Sequence, residues 1–141
     1  MLSIEQIRPE LTWKLRQQVL YPAEPLNQMA MDEDNNGYHF GAFGDRELLA
    51  IVSLFKHGDD YQFRKFAVTP EAQGQGIGSA MLNHLMDFVV RDGGKRLWCN
   101  ARLTATGFYT KHGFTLTGNQ FNRNGFDYEI MEKLIENRNI M

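Results

Sequence analysis

The strongest constraint in this sequence is a glycine-rich loop that joins an apolar run to an amphipathic helix. The apolar run stops at Pro70, and the loop then reads Gln73-Gly74-Gln75-Gly76-Ile77-Gly78-Ser79. Glycines at alternate positions let the backbone approach a ligand closely, and the first turn of a helix carries N–H groups that have no acceptor within the helix. The positive end of the helix dipole lies at the same point. The order of strand, loop and helix therefore predicts a site for a phosphate group.

Two other phosphate-binding loops fit the sequence less well. A dinucleotide-binding loop would have glycine or alanine in place of Ser79, and an acidic residue instead of Asn100 at the end of the next strand. It would also open the first strand–helix unit, whereas this loop follows a half that is rich in hairpins. A Walker-type loop would end in Gly-Lys-Ser or Gly-Lys-Thr, which this loop does not. A turn that only connects a strand to a helix is one remaining alternative, and a nucleotide-binding regulatory domain is another.

Length, composition and charge narrow the class of protein. A chain of 141 residues with 43% hydrophobic and 23% charged residues is typical of one globular domain, which we expect to cover residues 1–141. The formal net charge of −2 argues against a nucleic-acid partner, which would favour a basic surface. The sequence has no apolar run long enough to cross a bilayer and no secretory pattern at Met1, so we expect no membrane partner.

The number of cysteines indicates the cellular compartment in which we expect the protein. Cys99 is the only cysteine, which rules out an internal disulfide and a multi-cysteine zinc site. We therefore expect a cytoplasmic protein with no bound metal. Because Cys99 follows Leu97 and Trp98 in an apolar strand, a buried inert thiol is expected rather than a nucleophile.

Apolar spacing and turn residues predict the order of the elements. A first helix from about residue 9 to residue 20 is indicated by apolar residues at helical spacing, namely Ile4, Ile7, Leu11, Leu15 and Val19. A long loop with one helical turn is expected over residues 21–36. Further helices are expected from residue 77 to the Gly93-Gly94 pair and, capped by Thr104, to about residue 112. Strands are expected over residues 38–43, 48–55, 61–68, 96–100, 114–117 and 126–133, which indicates a mixed α/β sheet covered by helices.

Two motifs resemble those of the GNAT superfamily, the acetyl-CoA-dependent N-acetyltransferases. The family signature of Gln or Arg, two residues, Gly, one residue, and Gly or Ala is matched by Gln73 to Gly78. The family's later segment, an alanine helix with Phe-Tyr and then Gly-Phe, is similar to Ala105 to Phe114. The strand before that segment, Leu97 to Arg102, also resembles that of many bacterial members. The resemblance is strong from about Tyr61 to Phe114, and it implies an α/β (α+β) fold with a mixed, mostly antiparallel central sheet of about six to seven strands flanked by helices.

The resemblance also implies an activity and a cosubstrate site. Such an enzyme moves an acetyl group from acetyl-CoA to a primary amine of a small molecule, a protein N-terminus or a lysine, by direct attack in a ternary complex. The loop would hold the pyrophosphate, and the main chain of the preceding strand would pair with the pantetheine arm. The implied CoA-binding residues are Phe66, Ala67, Val68, Gln73, Gly74, Gln75, Gly76, Ile77, Gly78, Ser79, Asn100, Phe108, Tyr109 and Lys111. For Asn100 a turn residue, and for Lys111 a solvated lysine, is the alternative.

The catalytic roles that the resemblance implies fall on few residues. Tyr109 occupies the position that commonly acts as the general acid in the family, and a phenol is protonated at neutral pH. A backbone N–H near Val68 is the implied donor to the oxyanion. No family motif marks the base, for which Glu129 and His39 are candidates. The alternatives are a packing role for Tyr109 and ordinary structural roles for Glu129 and His39.

The acceptor amine and the assembly stay open. The acceptor site is expected to be shaped by the first helix, the loop over residues 21–36 and the last strands. In that loop Asp32, Glu33 and Asp34 could attract a cationic amine or simply be solvated. A non-catalytic acyl-CoA-binding or sensing module is the alternative function, although Tyr109 favours an enzyme. A homodimer is compatible with the sequence.

Overall fold

A computed structural model describes residues 1–136, which divide into two compact units. The first unit comprises Met1–Phe55 and Phe63–Leu85, and the second comprises Lys56–Gln62 with the chain from Met86 onward. The strands are β1 (Leu2–Ile7), β2 (Tyr38–Gly44), β3 (Glu47–His57), β4 (Asp60–Val68), β5 (Arg96–Arg102), β6 (Thr115–Arg123) and β7 (Phe126–Leu134). They form one sheet in the order β1-β2-β3-β4-β5-β7-β6.

The pairing directions confirm the predicted sheet. Strands β4 and β5 are parallel, whereas β1–β2, β2–β3, β5–β7 and β6–β7 are antiparallel. The connection between β2 and β3 is tight, and its residues Asp45 and Arg46 have φ values of 49° and 69°. Positive φ at both central residues is the backbone that a two-residue hairpin turn requires.

Strand β1 corrects the sequence prediction at the N-terminus. Ile4 and Ile7 were expected to belong to a helical pattern, but both lie in β1, which pairs with β2 over Leu2↔Gly44 to Ile7↔His39. The two isoleucines are half-buried. A spacing of three residues fits a helix, yet hydrogen bonding to a strand more than thirty residues away decides the conformation.

The predicted first helix exists over residues 9–20, with three different geometries. A 3₁₀ turn at Pro9–Thr12 leads into helix α1 (Trp13–Leu15), and a π-helical segment follows at Arg16–Leu20. Leu15 packs with Ile51 and Ala67 in a buried cluster of the first unit. The loop over residues 21–36 contains short 3₁₀ turns, as expected near its middle.

Helix α2 (Ile77–Arg91) begins directly after the glycine loop, as predicted. The apolar face of this amphipathic helix is inside: Ile77, Met81, Leu85 and Val89 are buried, and Phe88 is half-buried. The helix ends before Gly93, whose φ of 84° is left-handed. Among residues 1–136, no helix is both long and apolar enough to cross a membrane.

The second unit departs from the prediction in two places. Thr104 does not cap a helix, because it lies inside a 3₁₀ turn at Leu103–Ala105 that precedes helix α3 (Thr106–Lys111). Strand β6 is also longer than expected. Its pairing with β7 shifts register between Leu116 and Gln120, and this irregularity carries the strand onward to Arg123.

Candidate active site

The glycine loop of the first unit has the backbone that its sequence predicts. Gly74 and Gly76 have φ values of 80° and 82°, a region that side chains other than glycine rarely adopt. Residues 73–76 are exposed, and they lie between the buried residues Ala72 and Ile77, which are 4% and 5% exposed. The loop is therefore an exposed arch whose two ends are anchored in the core.

Side chains of the loop itself form hydrogen bonds to backbone carbonyls of the first unit, and these bonds hold the loop in place. Gln73 donates from Nε2 to the carbonyl of Val68 at 3.0 Å, and Gln75 donates from Nε2 to the carbonyl of Glu71 at 3.2 Å. The N–H of Ala80 donates to the carbonyl of Gly76 at 3.1 Å as α2 begins. The N–H groups of Ile77 and Gly78 precede this bond in the first turn of the helix, where backbone donors have no acceptor within the helix and can bind an anion.

The surface in front of the glycine loop is open. A Cβ atom built on Gly74 or on Gly76 meets no atom within 4 Å, so the surface in front of both glycines is open. Backbone donors and a helix N-terminus bind phosphate without a metal. Within residues 1–136, no group of three or more His, Cys, Asp or Glu side chains is arranged to hold a metal ion.

The three strand residues predicted to hold pantetheine lie at the end of β4, just before this loop. Phe66 and Val68 are half-buried, and Ala67 is buried in the cluster with Leu15 and Ile51. The carbonyl of Val68 already accepts the bond from Gln73, and its second lone pair can accept another. A short connection with a 3₁₀ turn at Pro70–Ala72 joins this stretch to the loop.

A left-handed residue inside β4 was not predicted from the sequence. Lys65 has a φ of 57°, a value in the left-handed region. Arg64 donates to Glu33 at 3.1 Å, and Lys65 donates to the hydroxyl of Tyr21 at 2.5 Å, so both reach the loop over residues 21–36. Nothing in the local sequence marks a lysine for a left-handed backbone.

His39, a candidate base, lies in the first unit with both ring nitrogens in close contact. Its Nδ1 is 2.7 Å from the hydroxyl of Ser53, and its Nε2 is 2.7 Å from the carbonyl of Asp34. The residue is 2% exposed, and desolvation lowers the pKa of His39 below its ordinary value. A neutral imidazole with both nitrogens bonded is well suited to holding structure, and its role as a base stays a prediction.

The same region contains a buried ion pair that the sequence did not reveal. Arg16 is fully buried and donates to the carboxylate of Asp34 in two bonds of 2.9 Å, with further bonds to Ser53 and to the carbonyl of Met29. Burial opposes ionisation of Asp34, but bonds from Arg16 and from the N–H of Met31 outweigh it and hold the pKa below its ordinary value. Of the three consecutive acidic residues Asp32, Glu33 and Asp34, Asp34 is therefore a core residue and not a solvated one.

Tyr109 lies on α3 of the second unit among other aromatic rings. Its ring meets those of Phe108 and Phe114 edge-on, at centroid distances of 5.2 and 5.9 Å. The side chain is partly exposed along its length. Burial of the phenol raises the pKa of Tyr109 well above its ordinary value, and the neighbouring Cys99 adds to the shift. The phenol therefore stays protonated over the physiological pH range.

Cys99 is the buried, unreactive thiol that the sequence predicted. It is 2% exposed on β5, and burial raises the pKa of its thiol to about 12. Since the thiolate is the nucleophilic form, this thiol cannot act as a nucleophile near neutral pH.

Glu129, the other candidate base, is buried on β7 at the register shift with β6. Its carboxylate accepts bonds from the N–H of Gly118 at 2.9 Å and from Nε2 of Gln120 at 2.8 Å. These bonds fasten the irregular part of β6 to β7. The carboxylate is thus engaged in structure, and its role as a base stays a prediction.

The remaining predicted residues lie in the second unit. Asn100 is half-buried on β5 opposite Ile130 of β7. Phe108 is half-buried, with its ring 4.8 Å from that of His112, and Lys111 is exposed at the end of α3. The predicted cosubstrate residues therefore form two sets, with Phe66 to Ser79 in the first unit and the others in the second.

The fold and the glycine loop define a class of protein, and comparison with known proteins agrees. The model of the acetyltransferase (GNAT) domain matches residues 5–135. The chain therefore belongs to the GNAT acetyltransferase family and is an acyltransferase. An uncharacterized N-acetyltransferase of Bacillus subtilis, YitI, is 29% identical over 140 residues, which cover 93% of this chain and 94% of that protein.

Solved structures show the same fold at low sequence identity. An IAA acetyltransferase from Bacillus cereus superposes with a TM-score of 0.79 at 19% identity, covering 96% of this chain and 100% of that one. A GNAT family acetyltransferase from Elizabethkingia anophelis with acetyl-CoA bound has a TM-score of 0.73 at 18% identity, covering 95% and 98% of the two chains.

Proposed function

We propose that this protein is an N-acetyltransferase that transfers the acetyl group of acetyl-CoA directly to a primary amine in a ternary complex. The observation that carries the proposal is the exposed arch with left-handed Gly74 and Gly76, anchored at both ends and opening into α2. The match to the GNAT domain runs through both units, so we treat residues 1–141 as one catalytic domain.

Acetyl-CoA supplies the thioester, and the first unit supplies most of the groups that bind it. The N–H groups from Gly74 to Ser79 would donate to the diphosphate, where each favourable interaction with the helix dipole is worth about 0.3–1 kcal/mol. The main chain at Phe66 to Val68 would pair with the pantetheine amides as an added strand does. In the second unit Asn100, Phe108 and Lys111 are proposed to add contacts.

Tyr109 is the proposed proton donor to the leaving thiolate. A phenol is ordinarily a weaker acid than a thiol, by roughly 1.5 pKa units or about 2 kcal/mol, so donation requires a thiolate made more basic by its surroundings. Cys99 shows what desolvation does to a thiol beside Tyr109, since burial raises its pKa to about 12. Because burial raises the pKa of Tyr109 as well, the leaving thiolate takes the phenolic proton only where its surroundings raise the pKa of its thiol above that of Tyr109.

Activation of the amine is the step with the least support from the residues. A lysine-like amine has a pKa of about 10.4, so forming its neutral state at pH 7 costs about 4–5 kcal/mol. His39 and Glu129 are both buried and bonded to other groups. We therefore propose that water takes the amine proton, and that neither residue is required as a base.

The decisive experiment measures binding and turnover on the same protein sample. Calorimetry is expected to show acetyl-CoA binding that EDTA leaves unchanged, and a thiol-release assay with a panel of amines is expected to show acceptor-dependent turnover. Binding without turnover by any amine would favour the acyl-CoA-binding module. Selective binding of NADH would show that the loop serves a dinucleotide.

A further inference from the structure

Two neighbouring cations of β4 face the same loop, and only one of them is neutralised. Arg64 forms an ion pair with Glu33 at 3.1 Å. Lys65 instead contacts Tyr21, with its ammonium 2.5 Å from the hydroxyl and 4.4 Å from the ring centroid. In the part of the chain that the structure describes, no carboxylate lies within ion-pair distance of Lys65. The partly buried amino group of Lys65 therefore has a hydroxyl and not a carboxylate beside it.

The backbone at Lys65 shows that this orientation is imposed. Phe63 and Phe66 meet edge-on with ring centroids 6.1 Å apart, although residues three apart in a regular strand point to opposite faces. The reversal occurs at Lys65, where φ is 57°. A left-handed residue other than glycine is strained, and such residues are concentrated at functional sites. At this left-handed position the side chain of Lys65 contacts Tyr21, the residue that ends the π-helical segment.

Position along the strand places the Lys65–Tyr21 pair at the reacting end of the cosubstrate, a step that rests on the proposed function. If the diphosphate lies at residues 74–79 and pantetheine runs back along residues 68 to 66, the thioester lies toward residue 65. Tyr21 begins the loop that is expected to shape the acceptor site. The ammonium of Lys65, bonded to Tyr21 and not to a carboxylate, thus lies where the acceptor is expected to arrive.

We propose that Lys65 and Tyr21 bind a carboxylate of the acceptor, so that the acceptor is an amine that also carries a carboxylate, such as an amino acid. The ammonium forms a charge-assisted bond and the hydroxyl donates a second one. The three consecutive acidic residues from Asp32 to Asp34 offer little unpaired negative charge that could bind a cationic acceptor. Asp34 is bound to Arg16 and Glu33 to Arg64, which leaves only Asp32.

Matched pairs of acceptors test this class directly. The probes are glycine, β-alanine, L-phenylalanine and L-glutamate, each compared with its α-amide (for β-alanine, its amide), together with cadaverine and spermidine as cationic amines. At least one acid is expected to have a kcat/KM tenfold or more above that of its amide. The amide has the less basic amine and the larger neutral fraction, so protonation cannot produce this preference.

Variants assign the preference to the pair. In Lys65→Gln the ratio of acid to amide is expected to fall to about one, while the Kd for acetyl-CoA stays within about twofold. Lys65→Arg should retain part of the ratio, and Tyr21→Phe should lower it severalfold. Lys14→Gln, which removes an exposed cation of α1 in the same unit, should leave the ratio unchanged.

The outcomes separate this inference from the proposed function. Turnover of amides or polyamines in preference to the acids, turnover of none of the acids, or an unchanged ratio in Lys65→Gln would each overturn the carboxylate class. If Lys65→Gln does not fold, the wild-type ratio and the Tyr21→Phe variant decide in its place. A wild-type protein that does not bind acetyl-CoA in calorimetry would instead refute the proposed function, and the carboxylate class with it.

Discussion

The glycine loop of the first unit and the Tyr109 cluster of the second differ in which part of the chain is expected to do the chemistry. The loop is exposed, and its proposed donors are backbone N–H groups. What matters at Gly74 and Gly76 is that glycine has no side chain. Tyr109 has its phenol among rings, and there a single oxygen carries the proposed role. Substitutions should therefore affect binding at the loop and the chemical step at Tyr109.

The largest effect is expected from Tyr109→Phe, which keeps the ring and removes the proton donor. A general acid contributes about 10²–10⁴-fold, so kcat should fall within that range while the Kd for acetyl-CoA barely changes. Steady-state kinetics with a good acceptor and calorimetry measure the two quantities. Tyr128→Phe, on a half-buried tyrosine stacked on Phe121, is the control. A wild-type kcat in Tyr109→Phe would assign this residue to packing.

Gly76→Ala tests the other side of the comparison. The new methyl group would project into the open space in front of the loop and strain the left-handed backbone, so the Kd for acetyl-CoA should rise about tenfold or more, a loss of roughly 1.4 kcal/mol. Calorimetry measures this change.

Gly125→Ala is the matched control for the loop. Gly125 has a φ of 84° and no atom within 4 Å of a built Cβ, so its backbone strain equals that at Gly76, about 1–2 kcal/mol. The two variants should lose similar stability in thermal unfolding, but only Gly76→Ala should lose affinity. If Gly76→Ala binds acetyl-CoA as tightly as Gly125→Ala does, the loop is only a connector between strand and helix.

Glu129→Gln sharpens the comparison within the second unit. Glutamine keeps one oxygen to accept from Gly118 or Gln120 and loses the negative charge, so a carboxylate used only in structure should leave kcat within about threefold. The pH profile of kcat should keep its acidic limb. A fall of about 100-fold with loss of that limb would identify Glu129 as the base.

The smallest effect is expected in the pH dependence of stability. In both units burial favours the neutral form of a titratable side chain. Burial raises the pKa of Tyr109 and lowers that of His39, so each neutral form is favoured. Because the pKa of His39 is lower in the folded state, the unfolded chain binds the extra proton. Stability should fall as the pH drops below about 6.5, by at most about 1.4 kcal/mol per pH unit.

Unfolding in denaturant across pH 5 to 8 measures this dependence. His39→Gln should be less stable than the wild type at pH 8 and should show a flatter decline toward pH 5. A decline of the same slope in His39→Gln would assign the effect to other groups, since Asp34 loses its own contribution only at lower pH, as the pH falls from its ordinary pKa of 3.8.

Local signals in the sequence determined much of what this protein is. Alternating glycines predicted the arch, because only glycine adopts the φ values found at Gly74 and Gly76 without strain. Helical spacing predicted the buried face of α2, and the two motifs around the loop and Tyr109 indicated the family that the domain match confirms. These features depend on residues that are close together in the chain.

Only the tertiary structure decided the features that need distant partners. Strand β1 exists because it pairs with β2, and Arg16 is buried because Asp34 and Ser53, 18 and 37 residues away, accept its bonds. Lys65 adopts a left-handed backbone inside a strand, with its ammonium on Tyr21, 44 residues away. Burial and hydrogen bonding across such separations override local preference, and spacing along the chain carries no record of them.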